Sequence, residues 1–377
     1  MATRKISGQN SWLLRTADVE AALTRQAGHL GPVRFRLGNR WIAPYDLAPW
    51  AEEKLAADTP PILKTLRGDF FCLPFGGNEQ PYRGEQHPPH GQTANDAWQL
   101  QSADGASAHC LMNTSVRQGR VDKIIRLIPG HTAVYSQHIV SGMSGRMSFG
   151  HHAILKLPAA RAGRVSASRF RYGQVFPGDF ERPADGGYSI LKPGAKFSSL
   201  HRVARVDDKF ADLTIYPDRE GYEDLVLIAA ETFLPYAWTA LTVPGERYVW
   251  FALKNPRILP STLFWMSNGG RHYAPWNSRH RHVIGMEEVC SYFDRGLAAS
   301  AKHNPLNEVG IPTCHRLNPK RPLTVNYIMA LAEIPGNFDI VKTIRPADDK
   351  KNAVLVSQSG KIVTTPLDWS FLSAEPS

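Results

Sequence analysis

At 377 residues the chain could hold one large domain or two ordinary ones, and its 44 Lys and Arg against 34 Asp and Glu leave a net charge of +10. That charge is spread rather than gathered into tracts, and no RNP, zinc-finger or helix-turn-helix pattern accompanies it, which excludes a recognisable nucleic-acid binder; it reads as a solvated basic surface, with an anionic ligand as the alternative. A mean hydropathy of −0.31 and the lack of any apolar run near the roughly 18 residues of a membrane span exclude a helical membrane protein.

Glycine (30) and proline (28) are abundant and charged residues make up only 21%, which favours a loop-rich β protein. The N-terminal MATRKISGQNSWLLRT has no apolar h-region, so no signal peptide is expected. Cys72, Cys110, Cys290 and Cys314 show no CxxC spacing and read as free thiols of a cytoplasmic protein. In chain order, residues 1–15 read as a loose arm. Residues 16–26 read as a short helix with Thr16 at its N-cap, and residues 33–42 as a strand pair about Gly38-Asn39. Pro44, Pro49, Pro60 and Pro61 mark a connection. Residues 1–60 are therefore expected to be an arm and edge elements packed on a main domain of residues 61–377.

Residues 66–100 are the first informative stretch. Phe70, Phe71, Cys72, Leu73 and Phe75 form an apolar run bounded by Gly68 and Gly76-Gly77, which reads as a buried strand. Pro81, Gly84, Pro88, Pro89 and Gly91 then forbid regular structure. A long loop inside a compact domain is usually functional, so Arg67, His87 and His90 are candidates for a pocket rim. Beyond Trp98 the chain reads as strand after strand: residues 108–113, 123–128, 133–140, 210–216, 225–229, 237–243 and 248–253, with a hairpin across Gln358-Ser359-Gly360. Only residues 288–302 have helical spacing, weakened by Gly296. Many short strands with scarce helix predict an all-β sandwich or barrel.

Three segments carry a resemblance. The first is Leu66-Arg67-Gly68 with Phe71-Cys72-Leu73-Pro74-Phe75-Gly76, His90-Gly91 and Trp98. The second is Phe149-Gly150-His151-His152-Ala153-Ile154-Leu155. The third is Gly285-Met286-Glu287-Glu288-Val289-Cys290. In this order they resemble the aldose 1-epimerase (mutarotase) family over roughly residues 60–330. The resemblance implies a large antiparallel β-supersandwich with a pocket on a concave face, and a monosaccharide substrate interconverted between its anomers without metal or cofactor. His152 takes the place of the family's general acid, His151 that of an Asn beside it, and Glu287 that of the general base. Ile154 and Leu155 stand where the family has aromatic residues. Arg67, His90, Trp98 and Trp265 would bind the sugar. The family often places an acid near the Trp265 strand, and none occurs between Leu263 and His282. Arg271, His272, Arg279, His280, Arg281 and His282 read most simply as a basic loop, with contact to a phosphate or sulfonate on the sugar as the functional alternative.

Mutarotation needs a base for the anomeric hydroxyl and an acid for the ring oxygen, and a Glu and a His suit both tasks near neutral pH. Alternation in a strand sends His151 and His152 to opposite faces, and Glu287 and Glu288 likewise. Taken singly, a strand histidine is more often structural, a carboxylate such as Glu287 more often at an edge, and Arg67 more often solvated. His87 and His90 are zinc ligands by type but lack a spaced third partner. A sugar-binding or regulatory protein, or a polysaccharide-active enzyme, could use the same sandwich.

Overall fold

A computed structural model describes residues 1–373. Two antiparallel sheets face each other. One has nine strands, in the spatial order Ile215–Tyr216, Gly163–Ala167, Ala237–Val243, Tyr248–Lys254, Leu323–Glu333, Ala133–Ser141, Gly119–Leu127, Ser107–Thr114 and Gln99–Ala103. The other runs Lys196–Phe197, Phe170–Val175, Tyr222–Ala230, Ser261–Asn268, Val283–Cys290, Phe149–His151 and Phe71–Cys72, with Ala153–Lys156 also paired to Val283–Cys290. Among the described residues α-helix is confined to Pro61–Thr65, Gly296–Ala301 and Pro305–Glu308, and no helix is long and apolar enough to cross a membrane. The all-β supersandwich expected from the sequence is what forms.

Period-two alternation builds three apolar layers. Val226, Ile228, Phe264, Met266, Ile284 and Met286 point between the sheets and meet Val121, Leu241, Trp250 and Tyr327 of the nine-stranded sheet. The next residues along the same strands, Leu225, Leu227, Leu263, Trp265, Val283 and Val289, point outward under a cover of loops. On the far side a small sheet of Val341–Pro346, Asn352–Ser357 and Ile362–Pro366 covers Tyr135, Val249, Phe251 and Ile328. The expected hairpin at residues 358–360 is part of it.

The N-terminal segment departs from expectation. Residues 1–15 are not a loose arm. Arg4–Ile6 and Gln9–Arg15 begin a five-stranded meander that continues through Val19–Thr24, Leu30–Leu37 and Arg40–Ile42. The expected helix over 16–26 is therefore a strand. The Thr16 hydroxyl accepts from the amides of Asp18 (3.2 Å) and Val19 (3.1 Å), but this closes a turn between strands. Burial of Val19, Ala21, Ala22 and Leu23 against the core outweighs the weak helical propensity of the segment. The expected helix over 288–302 is likewise only half present. Glu288, Val289 and Cys290 complete a strand paired on both sides, and helix begins at Gly296. Of residues 210–216 only Phe210–Ala211 and Ile215–Tyr216 are strand.

Candidate active site

The outward face of the eight-stranded sheet carries the site. Cross-strand register runs Phe149 opposite Cys290, Gly150 opposite Val289 and then Ala153 opposite Met286. The same register puts His152 opposite Glu287 and His151 opposite Glu288. Alternation sends the first pair outward and the second inward. His152 Nε2 lies 3.2 Å from Glu287 Oε1, both side chains almost wholly buried. They sit in a cavity of about 200 Å³, otherwise walled by Ile62, Leu66, Phe70, Leu225, Trp265 and Trp276 among others, with His90, Arg271 and Asp294 as its further polar groups.

Local structure fixes each of these. The backbone N–H of His152 donates to Phe70 O (2.9 Å), and its ring stacks on Phe70 with centroids 4.6 Å apart. Gly285, two residues before Glu287, leaves the carboxyl room. A Cβ there would stand 2.6 Å from Glu287 Oε1 and 3.0 Å from Trp265 Cβ. His90 is delivered by the proline-rich loop, its amide bound to Gly76 O at 2.7 Å and its Nδ1 3.3 Å from Cys72 Sγ. The loop can turn there because Gly91 has φ +76° and packs so closely that a Cβ would be 1.9 Å from Leu73 O.

Burial governs the electrostatics. It pushes the Glu287 carboxyl well above the usual carboxylate range, reinforced by Asp294 and opposed by Arg271. It pushes His152 well below the usual imidazole range, helped by the neighbouring His90 and His29, and takes His90 down to about 4. Each therefore favours its neutral form near pH 7. Asp294 rises to about 6 for the same reason. Burial also works against charge on Arg271, but Glu223 and Glu181 outweigh it and hold the guanidinium firmly protonated. Its Nε donates to Glu181 Oε1 (2.6 Å), and its plane lies 4.6 Å from the Trp276 ring and 5.3 Å from that of Trp265.

Five expected site residues thus meet at one cavity: His152, Glu287, His90, Trp265 and Arg271. Three do not. Arg67 is fully buried elsewhere, its guanidinium bound to the carbonyls of Thr65, Ile6 and Ser7, so it ties the N-terminal meander to the core. Trp98 donates to Thr93 O (3.1 Å) beneath Lys123. His151 faces between the sheets, with Nδ1 2.9 Å from Asp69 Oδ2 and its ring on Tyr327. The basic loop divides its side chains between the surface and the interior. Arg279 pairs with Glu53 and Arg281 with Glu220, while His280 turns inward to Asp46 (3.1 Å) and Ser267 (2.5 Å) and stacks on Trp265. His87 pairs with Glu85 (2.9 Å).

The acid that the sequence lacks near Trp265 comes from the neighbouring strand. Glu223, paired in register with Ser267, accepts from Trp265 Nε1 (3.0 Å) and Ser267 Oγ (2.9 Å). It is fully buried, and burial takes its pKa to about 8 against the pull of Arg271. With a folded pKa above the unfolded value of about 4.3, the folded state holds an extra proton between the two. The stabilisation is complete below the unfolded value and is lost as pH rises toward the folded one. We expect Glu223→Gln to remove this loss, so that melting temperature between pH 5 and 8 declines less steeply in the variant than in the wild type. Parallel profiles would refute it.

No protein-family model matches the chain, and no curated protein matches it in sequence. Solved structures do. A galactose mutarotase related enzyme from Lactobacillus acidophilus superposes with a TM-score of 0.57 at 11% identity, covering 86% of this chain and 99% of that one. This chain has the galactose mutarotase-like fold. A galactose mutarotase-like protein from Lactobacillus casei (TM-score 0.56, 10% identity, 86% and 100% covered) is similar to the same extent. So is a candidate aldose 1-epimerase from Klebsiella pneumoniae (0.60, 13%, 88% and 82%). In this mutarotase-like sandwich the cavity described above lies on the outward face of one sheet.

Proposed function

We propose that the protein is an aldose 1-epimerase acting on a sugar ring held between His90, Trp265 and Arg271. The observation that carries this reading is the buried His152–Glu287 pair at 3.2 Å in a cavity of about 200 Å³. Burial favours the neutral forms, so the pair rests with its transferable proton on Glu287 and with His152 able to accept one. His152 takes the anomeric hydroxyl proton while Glu287 protonates the ring oxygen, and the C1–O5 bond breaks to give the open aldehyde. Rotation about C1–C2 presents the other carbonyl face. On reclosure Glu287 takes its proton back from O5 and His152 returns its proton to the new anomeric oxygen, which restores the resting state. These starting roles are the reverse of those implied by the family resemblance, and they follow from the direction of the two shifts.

Arg271 is the only cation lining this cavity among the described residues, and Glu181 already pairs with it. An uncharged aldose therefore suits the site better than a phosphorylated or sulfonated one. All four thiols are free, which supports a cytoplasmic setting. Anomer exchange followed by NMR on a panel of aldoses, each with and without a 6-phosphate, tests the proposal. We expect acceleration of at least one uncharged aldose and its loss in His152→Ala. Folded protein that accelerates none would overturn the enzymatic reading and leave a sugar-binding protein.

A further inference from the structure

The cavity holding His152 and Glu287 shares part of its lining with a neighbour. Phe180, Arg271 and Asp294 line it, and the same three residues line an adjoining depression of about 810 Å³, some four times the roughly 200 Å³ of the first. The two differ in character. The first is mainly apolar apart from its reacting pair, His90 and the shared groups. The second is polar, with the aromatic rings of Phe176, Phe180 and Tyr273 set among hydrogen-bonding side chains.

Two ion pairs stand in the lining of the second cavity. Arg182 pairs with Asp185 (2.6 Å) and Arg271 with Glu181 (2.6 Å). Arg295 donates to Pro177 O (2.7 Å) and lies over Phe176. Arg295 alone has no carboxylate partner among the described residues, and the unpaired carboxyls of Glu79, Asp179 and Asp294 in the same lining disfavour a phosphate. In contrast Gln80 and Asp179 make no side-chain hydrogen bond or ion pair among the described residues. Tyr273 keeps more than a third of its surface exposed while its hydroxyl donates to Glu181 (3.1 Å). Unmatched acceptors and donors beside the exposed Tyr273 ring and the half-buried Phe180 ring suit a neutral polyhydroxylated ligand, whose C–H faces pack on rings and whose hydroxyls need partners.

We propose that this depression is a second sugar subsite, and that the ring reaching His152 and Glu287 is the reducing end of a saccharide of two or more units. The proposal rests on the epimerase reading and names its substrate class. The glycosidic link would cross the junction at Phe180, Arg271 and Asp294, and the outer unit would bind Gln80, Asp179 and the Tyr273 ring. Binding energy from the outer unit, remote from the reacting atoms, would orient the reducing ring against the pair.

The test compares aldoses with disaccharides of (1→3), (1→4) and (1→6) linkage bearing the same aldose at the reducing end, by NMR anomer exchange. For at least one linkage, kcat/KM should exceed that of the free aldose by about tenfold. The double variant Gln80→Ala/Asp179→Ala should abolish that advantage and keep the aldose itself within about twofold of wild type. An aldose turned over as well as every disaccharide, or an advantage that survives the double variant, overturns the subsite and leaves the epimerase reading intact. Methyl glycosides of the same disaccharides cannot open their rings, so saturation-transfer difference spectra with them isolate binding. If no sugar is epimerised, signal on both units upholds the subsite without the enzyme, and signal on neither overturns both.

Discussion

Replacing Glu287 by Gln will lower the rate of anomer exchange by about 10²–10⁴-fold and leave the fold intact. The substitution is nearly isosteric, and burial already favours the uncharged carboxyl at this position, so an amide introduces no new charge penalty. What it removes is the proton that Glu287 would give to the ring oxygen and later take back. His152 stays 5.7 Å from the Trp265 ring and stacked on Phe70, so binding of the sugar should change little and the loss should fall on kcat. Rates from NMR saturation transfer, with melting temperature as the control for folding, decide the matter. Wild-type kcat in Glu287→Gln would remove Glu287 from the chemistry.

The neighbouring carboxylate gives the largest expected effect on stability. Glu288 is fully enclosed between the two sheets, where Lys254 of the nine-stranded sheet pairs with it and the hydroxyls of Thr239 (2.7 Å) and Thr262 (2.6 Å) donate to it. Lys254 also donates to Ser261 O (2.7 Å). Lys254→Met would leave a charge with no counter-ion in the sandwich interior and should cost about 3–5 kcal/mol. The double variant Lys254→Met/Glu288→Met removes both charges and should be distinctly more stable than the single one. Chemical denaturation of the two side by side checks the order; a double variant no more stable than the single would show that the pair is not coupled as the geometry requires.

The sequence made legible those features that depend on a residue's own strand. Alternation alone separates His151 from His152 and Glu287 from Glu288, and the structure obeys it in both strands. Short apolar runs bounded by Gly and Pro marked most of the strands. What failed depended on partners far along the chain. Residues 16–26 have a helical composition, but hydrogen bonding to both neighbouring strands and burial make them a strand. Arg67 is of the right type beside the right glycine, yet nothing local shows that its guanidinium turns away from the cavity to the carbonyls of Ile6 and Ser7. Glu223 was missed because its role comes from register with Ser267. The one available signal was that Glu223-Asp224 precedes an apolar strand as Glu287-Glu288 interrupts one: paired acids that alternation must split between two faces. Asp294 gave no such signal, since only the chain reversal after Cys290 carries it to the junction of the two cavities.

His152 and Glu287 face one another because the strand pairing on either side of them, Gly150 with Val289 and Ala153 with Met286, sets their backbone positions. A one-residue insertion or deletion in either strand would turn one member in between the sheets and bring its neighbour onto the cavity face. The unit on which natural variation can act is therefore the paired segment as a whole. Loops around it are free to change length and composition, and with them the sugar that is admitted, while the strand pairing keeps the two proton carriers on the same face of the sheet.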